Sequence, residues 1–168
     1  MDKKVDSYRF INGITKRMVK AWVGMGKPRS IPWTPLKKEL SDCTVAMIVT
    51  AGMALKGDQP FDQEGERRNP WWGDPSYRII PCSATERDVS IYHMHINPSY
   101  ALQDLNCMLP LGNLQVLEHT REIGRSAPRH YSIMGYLLNP EQMLNESVPA
   151  IIENLRQDQI DILLMVPV

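Results

Sequence analysis

The chain has 168 residues, 43% of them hydrophobic and 23% charged, which fits one folded domain and argues against a disordered chain. Nineteen lysines and arginines balance nineteen aspartates and glutamates, which argues against a dedicated nucleic-acid binder. No apolar run approaches the roughly 18 residues of a membrane helix, and no secretory signal is expected at the amino terminus. Three unclustered cysteines indicate reduced thiols. We expect a cytoplasmic protein without a nucleic-acid or membrane partner.

The first predicted element is an amphipathic helix within residues 2–25, where apolar side chains are interspersed with lysines and arginines as far as Gly24. Such a helix could pack on its own domain or on a second subunit, or less readily on a membrane surface. Prolines predict an extended connector over residues 28–42. We therefore divide the chain into an amino-terminal helix, residues 1–30, and one α/β domain, residues 31–168.

The α/β domain begins with a strand at residues 43–50, whose continuous apolar run is typical of a parallel sheet covered on both faces. Gly52 follows almost at once, and a glycine in this place often permits a sharp turn near a ligand. Residues 56–76 are predicted to form a long polar loop. Two shorter strands are predicted at residues 77–80 and 89–96.

The remainder of the sequence alternates helices with one further strand. A helix is predicted from Pro110, a residue that suits the first helical position, to a C-cap at Gly124. A shorter helical turn, a break and a second helix capped by Ser147 or Val148 follow. Residues 160–168 form another apolar run, which predicts a second buried strand. The whole pattern predicts an α/β fold with a mostly parallel sheet flanked by helices.

Two histidines are the first candidates for chemistry. His93 and His95 lie two residues apart on the strand predicted at residues 89–96, so both rings should project from one face. They could form a polar catalytic or substrate-binding face, or they could be structural histidines. They could also bind a metal ion with a third ligand nearby. The residues that could supply this ligand are Asp104, Cys107, His119 and His130.

Further candidates lie in the connection between that strand and the next helix. If the strand is parallel, this connection falls at the carboxyl edge of the sheet, where α/β proteins bind ligands. Asp104 could orient a histidine or hold a substrate ammonium, and Cys107 could be a thiol nucleophile. The alternative is an Asx-turn followed by a buried cysteine. Arg129, beside His130, could bind a substrate carboxylate or cap a neighbouring helix.

Six segments of the sequence together resemble one protein family. They are residues 33–38 (WTPLKK), 46–52 (AMIVTAG), 73–80 (GDPSYRII), 103–107 (QDLNC), 130–136 (HYSIMGY) and 166–168 (VPV). In this order they resemble the glycine/sarcosine/betaine reductase protein B (selenoprotein B) family, which includes the selenocysteine subunit of D-proline reductase. The resemblance extends from about residue 31 to the end of the sequence.

The resemblance implies reductive cleavage of a carbon–nitrogen bond in a small amino acid or amine, with a dithiol as reductant. In such enzymes a selenolate attacks the carbon that carries the nitrogen, and a pyruvoyl group on a partner subunit activates the substrate in some members. The family's redox motif follows its last strand, so we expect a selenocysteine or cysteine after Val168. The α/β domain would then be incomplete at the C-terminus and inactive alone, with no cofactor of its own.

The resemblance also implies roles for matched positions. His95 or His130 would donate a proton to the leaving amine. Asp104 would orient a group of the site, and Cys107 would be a resolving thiol. Asn106 lies in the same Asp-x-Asn-Cys motif and is included in the predicted catalytic set.

Three residues are predicted to bind substrate, namely His93, Gly52 and Arg129. The partners implied are other subunits of a reductase complex, a thiol reductant and the small substrate, in an oligomeric assembly. Two alternatives stay open. The first is a non-catalytic binding or assembly subunit, and the second is a metal-dependent enzyme built on His93 and His95.

Overall fold

The computed structural model describes residues 12–25, 34–69, 72–135 and 137–168. The chain divides into two compact units, residues 1–35 and residues 36–168. The domain boundary predicted between residues 30 and 31 lies outside the described ranges. No helix within those ranges is long and apolar enough to cross a membrane.

The first unit contains helix α1, Gly13–Met25. The Asn12 side chain accepts a hydrogen bond from the Thr15 amide at 2.9 Å, which satisfies one of the amides left unpaired at a helix start. The helix lies within the span predicted from residue 2 to residue 25. Residues 1–11 of that span are outside the described part of the chain.

The second unit contains seven strands and three α-helices among its described residues. The strands are β1 Thr44–Val49, β2 Met53–Leu55, β3 Tyr77–Pro81, β4 Val89–Ile91, β5 Arg125–Ser126, β6 Arg129–Ile133 and β7 Ile162–Val166. The helices are α2 Gln63–Arg68, α3 Leu111–His119 and α4 Val148–Gln157, the last preceded directly by a π-helical stretch, Met143–Ser147. Two 3-10 turns, Leu40–Asp42 and Leu105–Cys107, precede β1 and α3.

Five of the described strands, β1, β3, β5, β6 and β7, form one sheet. β1 lies inside it and pairs in parallel with β7 along one edge and with β5 and β6 along the other. β3 pairs with β6 and is antiparallel. The predicted α/β fold with a mostly parallel sheet is therefore confirmed. A separate antiparallel ladder joins β2 and β4.

Helices cover both faces of the sheet. Positions 45, 47 and 49 of β1 pack with Leu111 and Leu114 of α3 in the larger core cluster. Ile48 belongs to the opposite face and packs with Tyr131 of β6 and Ile151 of α4. All six residues of β1 are buried. This cover on both faces explains the continuous apolar run of the strand.

The segment over residues 56–76 is not a continuous loop, because it contains α2. The Asp62 side chain accepts a hydrogen bond from Gly65 N at 2.8 Å and caps this short helix. The helix is six polar or glycine residues long. Its sequence therefore carries no apolar stripe from which a helix could be predicted.

One predicted helix end and one predicted helix break were wrong. α3 ends at His119 and not at Gly124. Gly124 directly precedes β5, and its amide donates to Cys43 O at 3.0 Å, so it pairs with the residue before β1 and not with the helix. The second helix does begin where it was predicted, because α4 starts at Val148 with Ser147 at the N-cap position. The predicted break before it is absent, since the π-helical stretch runs directly into α4. Pro149 lies near the start of α4, where its missing amide hydrogen is tolerated.

The last strand differs from its prediction in burial. Residues 160–168 contain β7, but Leu164 and Met165 are 46% and 62% exposed. In the described part of the chain β7 pairs with β1 alone. The strand is therefore a half-buried edge strand, whereas the apolar run predicted a strand covered on both sides.

Candidate functional site

A cleft of about 440 Å³ opens where three parallel strands end at their carboxyl sides. Its lining residues are Thr50 after β1, Gly135 after β6, Pro167 and Val168 after β7, and the two histidines His93 and His95. This edge of a parallel sheet is where α/β proteins usually bind ligands. The cleft is therefore the candidate site.

The backbone around the cleft is fixed by the pairing of β1 with β7. The parallel register continues past the strands, because Thr50 N donates to Val166 O at 3.2 Å. Val168 N then donates to Thr50 Oγ1 at 2.9 Å. The ends of the two strands therefore form one wall.

Gly52 allows the histidine segment to cross the end of β1. Its φ is +56°, in the left-handed region that favours glycine. Its carbonyl accepts a hydrogen bond from Tyr92 N at 2.8 Å. A Cβ at this position would lie 2.9 Å from Met134 Sδ and 3.2 Å from His93 N. Gly52 is outside the cleft lining, but it places His93.

Gly135 plays a similar part on the other side of His93. A Cβ there would lie 2.8 Å from Thr50 O and 3.1 Å from His93 Nε2. The first spacing is shorter than real Cβ contacts, and the second would require the imidazole to shift by a few tenths of an ångström. The imidazole therefore approaches the sheet edge only because position 135 has no side chain.

The two histidines contact each other in a defined orientation. His95 N donates to His93 Nδ1 at 3.1 Å, so neutral His93 carries its proton on Nε2. The ring centroids lie 5.7 Å apart, edge to face. Burial lowers the pKa of His93, the neighbouring His95 lowers it further, and Glu66 opposes both effects. His93 is therefore neutral at neutral pH.

His93 and His95 do lie together as predicted, but side-chain alternation along a strand is not the reason. β4 ends at Ile91, and the histidines follow it in a turn. Tyr92 N pairs with Gly52 O at the end of the short β2–β4 ladder, and the chain turns there. The rings meet through this turn and not through alternation along a strand.

Glu66 is a part of the site that sequence reasoning missed. It lies on α2, is 3% exposed, and has its Oε1 3.2 Å from His95 Nε2. Neither of its carboxyl oxygens has a hydrogen-bond partner among the described residues. No local signal marks it, because it lies in a run of polar residues and is buried only by tertiary packing.

His130 lies outside the cleft, in the interior of the sheet. Its Nδ1 accepts a hydrogen bond from Met47 N at 3.1 Å, and its Nε2 lies 3.2 Å from Ser126 Oγ. Burial lowers the pKa of this imidazole to about 4. Its surroundings are those of a neutral structural histidine, and a catalytic role for it stays a prediction.

The Asp-x-Asn-Cys motif also lies outside the cleft lining. Asp104 Oδ1 accepts from Asn106 N at 3.0 Å, which is the Asx-turn of the alternative interpretation. Asn106 Oδ1 accepts from Asn113 N at 3.1 Å, in the first turn of α3. Cys107 is exposed and not buried. The motif was expected at the carboxyl edge of the sheet on the condition that the strand before it is parallel. That condition is not met, because β4 is antiparallel and lies outside the main sheet.

Arg129 caps a helix. It donates to Asp158 from Nε at 2.7 Å and from Nη2 at 2.8 Å, and to Asn154 Oδ1 from Nη1 at 2.9 Å. These partners lie at the carboxyl end of α4, where a cation also complements the helix dipole. The helix-capping alternative is the one that the geometry favours over a substrate carboxylate.

We expect Arg129→Met to lower the free energy of unfolding by about 2 kcal/mol, because charge-assisted hydrogen bonds to a largely buried carboxylate are lost. Urea denaturation followed by circular dichroism measures the change. Arg156→Met is the matched control. Arg156 is exposed on α4, so this substitution should change the free energy of unfolding little. Equal stability of the Arg129 variant and wild type would contradict the capping role.

The described residues do not include a set of side chains that could form a metal centre. Across residues 12–25, 34–69, 72–135 and 137–168, no group of three histidine, cysteine, aspartate or glutamate side chains could hold a metal ion. His93 and His95 therefore contribute imidazoles to the cleft without a third metal ligand in that part of the chain.

Comparison with known proteins relates the chain to a reductase subunit. One curated protein that the chain resembles is D-proline reductase subunit gamma of Acetoanaerobium sticklandii, with 31% identity over 133 residues. The chain is a distant homologue of a D-proline reductase subunit. The match covers 79% of this chain and 52% of that subunit, so the chain spans about half of the relative's length. No protein-family model matches the chain, and no solved structure matches it significantly.

Proposed function

We propose that the chain is a subunit of an amino acid reductase complex that cleaves a carbon–nitrogen bond of a small amino acid or amine. The carbon–nitrogen bond breaks, one carbon–hydrogen and one nitrogen–hydrogen bond form, and a dithiol supplies two electrons and two protons as it becomes a disulfide. The observation that carries the proposal is the cleft with two histidines at the carboxyl edge of the sheet. The homology to a D-proline reductase subunit supports the choice of reaction.

The two histidines take different roles in this proposal. His93 is neutral and held through Nδ1, so its Nε2–H is a fixed hydrogen-bond donor beside Gly135. It would orient the substrate. His95 is more exposed, with 58% of its side chain accessible, and lies against the Glu66 carboxyl. It would donate the proton that the leaving amine needs.

The nucleophile is proposed to come from a selenocysteine or cysteine that follows Val168. A selenocysteine supplies a polarisable anion at neutral pH, a cysteine does so only where its surroundings stabilise the thiolate, and a pyruvoyl group on a partner subunit would activate the amine. The residues present fit this arrangement, because the Val168 backbone is bonded to Thr50 in the wall of the cleft, beside both histidines. Partner subunits and the reductant are part of the same proposal.

The proposal is tested with the complete reductase, assembled with its partner subunits and supplied with dithiothreitol. D-proline, sarcosine, glycine and betaine serve as candidate substrates. We expect His95→Gln to lower kcat by roughly 100-fold, as for loss of a general acid. His119→Gln is the matched control, because His119 is exposed on α3 and outside the cleft lining.

Two outcomes contradict the proposal. Failure of the assembled wild-type complex to reduce any of the four substrates would remove the reaction class. Full turnover by a His93→Gln/His95→Gln variant would remove the cleft as its site, and would favour the alternative of a non-catalytic assembly subunit.

A further inference from the structure

The carbonyl group that leads into His93 is held by a side chain from another part of the chain. Tyr92 O accepts a hydrogen bond from Gln63 Nε2 at 2.6 Å, and Gln63 is the half-buried first residue of α2. β4 ends at Ile91, so Tyr92 lies just beyond the strand, and a side chain supplies the partner for its carbonyl. The amide nitrogen of Gln63 must face this carbonyl, because a carbonyl oxygen only accepts.

This hydrogen bond acts on the backbone of His93. The peptide group is planar, so Tyr92 O, His93 N and the Cα atoms of both residues move together. The preceding peptide group is held as well, because Tyr92 N donates to Gly52 O at 2.8 Å. Two consecutive peptide groups are therefore bonded to different parts of the fold. Together the two bonds fix where the Cα atom of His93 lies beside the sheet edge.

The residues before Gln63 are attached to the main sheet and to the loop that leads into it. Phe61 is 2% exposed, and the guanidinium carbon of Arg78 on β3 lies 4.3 Å from the centroid of its ring. Asp62 N donates to the buried Asp74 carboxylate at 2.9 Å. Gln63 therefore extends to the histidine turn from a base that is itself held by burial and hydrogen bonds.

We propose that Gln63 is a positioning residue, which holds His93 at the sheet edge through the Tyr92 carbonyl group. The catalytic meaning of this inference rests on the proposed function, in which His93 orients the substrate. Gln63 is outside the cleft lining, so it acts on the reaction only through the position of His93. The segment that carries α2 thus serves as a brace on the side of the histidine turn away from Gly52.

The first test measures amide hydrogen exchange in the 168-residue chain, residue by residue, by NMR. The Tyr92 amide reports on the turn through its bond to Gly52 O. The His95 amide reports on it through its bond to His93 Nδ1 at 3.1 Å. Gln63→Glu keeps the size of the side chain and removes the donor, because a carboxylate only accepts. We expect both amides to exchange roughly tenfold faster, as the loss of one hydrogen bond implies.

Gln115→Glu is the matched control, because it removes the same kind of bond elsewhere. Gln115 Nε2 donates to Cys82 O at 2.9 Å, and neither residue lines the cleft. This variant should leave the exchange of Tyr92 and His95 as in wild type. Circular dichroism establishes that each variant is folded. If Gln63→Glu does not fold, Gln63→Ala is measured in its place, since alanine also lacks the donor and favours a helix.

The amide of Met47 separates a local effect from a general loss of stability. It lies in β1 and donates to His130 Nδ1 inside the sheet, so it exchanges only through larger openings of the domain. Its exchange should not change in Gln63→Glu. Equal exchange of Tyr92 in wild type and in Gln63→Glu would overturn the proposal. An equal acceleration at Tyr92 and Met47 would overturn it as well, because the effect would then be general.

Turnover supplies the second readout. In an active complex, Gln63→Glu should lower kcat roughly tenfold, because the orienting imidazole is displaced. In the His93→Gln background the same substitution should cause no further loss, since a residue that acts only through His93 then has no target. A further tenfold loss in that background would contradict the proposal. If no substrate is turned over, the proposed function fails, while the exchange of Tyr92 still decides whether Gln63 holds the turn.

Discussion

Acidification from neutral pH to about pH 4 is expected to cost the protein about 3 kcal/mol of unfolding free energy through His130 alone. In the folded chain burial lowers the pKa of this imidazole from 6.5 to about 4. The unfolded chain therefore binds a proton at a higher pH than the folded chain does. The stabilisation is complete above about pH 6.5 and is lost as the pH falls toward 4.

Urea denaturation at a series of pH values measures this effect in wild type and in His130→Asn. Asparagine can still accept the Met47 amide hydrogen through its side-chain oxygen, so the variant should fold, although with a lower stability at neutral pH. Its stability should then fall less steeply with acid.

The comparison between variants is needed because other groups also titrate. The pKa values of Asp88 and Asp161 are lowered by hydrogen bonds with Thr85 and with Lys38, so these carboxylates also lose stabilising contacts in acid. Their contribution is the same in both proteins and cancels in the difference. The exposed His119→Asn is the matched control. Parallel pH profiles for wild type and His130→Asn would contradict the buried neutral state.

In the proposed reductase complex, Gly135→Ala is expected to lower kcat/KM by roughly 100-fold. The added methyl group would lie 2.8 Å from Thr50 O and 3.1 Å from His93 Nε2. The first contact is with a backbone atom, so the backbone at position 135 or at Thr50 must shift to relieve it, and the imidazole must also give by a few tenths of an ångström. Both movements change the position of His93 relative to the sheet edge. Misplacement of an orienting group by about 1 Å is enough for a loss of this size.

The measurement is steady-state turnover, together with a thermal transition by circular dichroism. Gly13→Ala is the control substitution, because a Cβ at Gly13 meets nothing within 4 Å. A folded Gly135→Ala variant with wild-type turnover would show that the position of His93 is unimportant. A variant that also loses several degrees of stability would indicate that the Thr50 carbonyl has moved as well.

The central strand β1 was predictable because a strand that is buried on both faces has an almost continuous run of apolar residues. Every residue of β1 is buried, and its continuous apolar run predicts such a strand. β7 shows the limit of the same signal. Its composition is equally apolar, yet two of its side chains are largely exposed, because composition does not tell an edge strand from a central one.

The candidate site was predictable only in part. The pairing of His93 with His95 came from assumed strand alternation, but a turn brings the rings together. Glu66 lies on a six-residue polar helix, so only tertiary packing reveals its burial. For His130, residue type alone leaves both a catalytic and a structural role open. Only the structure shows that the His130 ring is fully buried inside the sheet.

Thr50 and Val168 form one wall of the cleft together, but the sheet holds the two residues with different firmness. Thr50 follows a strand that is hydrogen-bonded along both edges and covered on both faces, so its displacement would disturb pairing on both sides of β1. Val168 ends a strand that, in the described part of the chain, has a neighbour along one edge alone. Fraying of that strand would widen the cleft at low free-energy cost. Thr50 would then stay in place while Val168 moves.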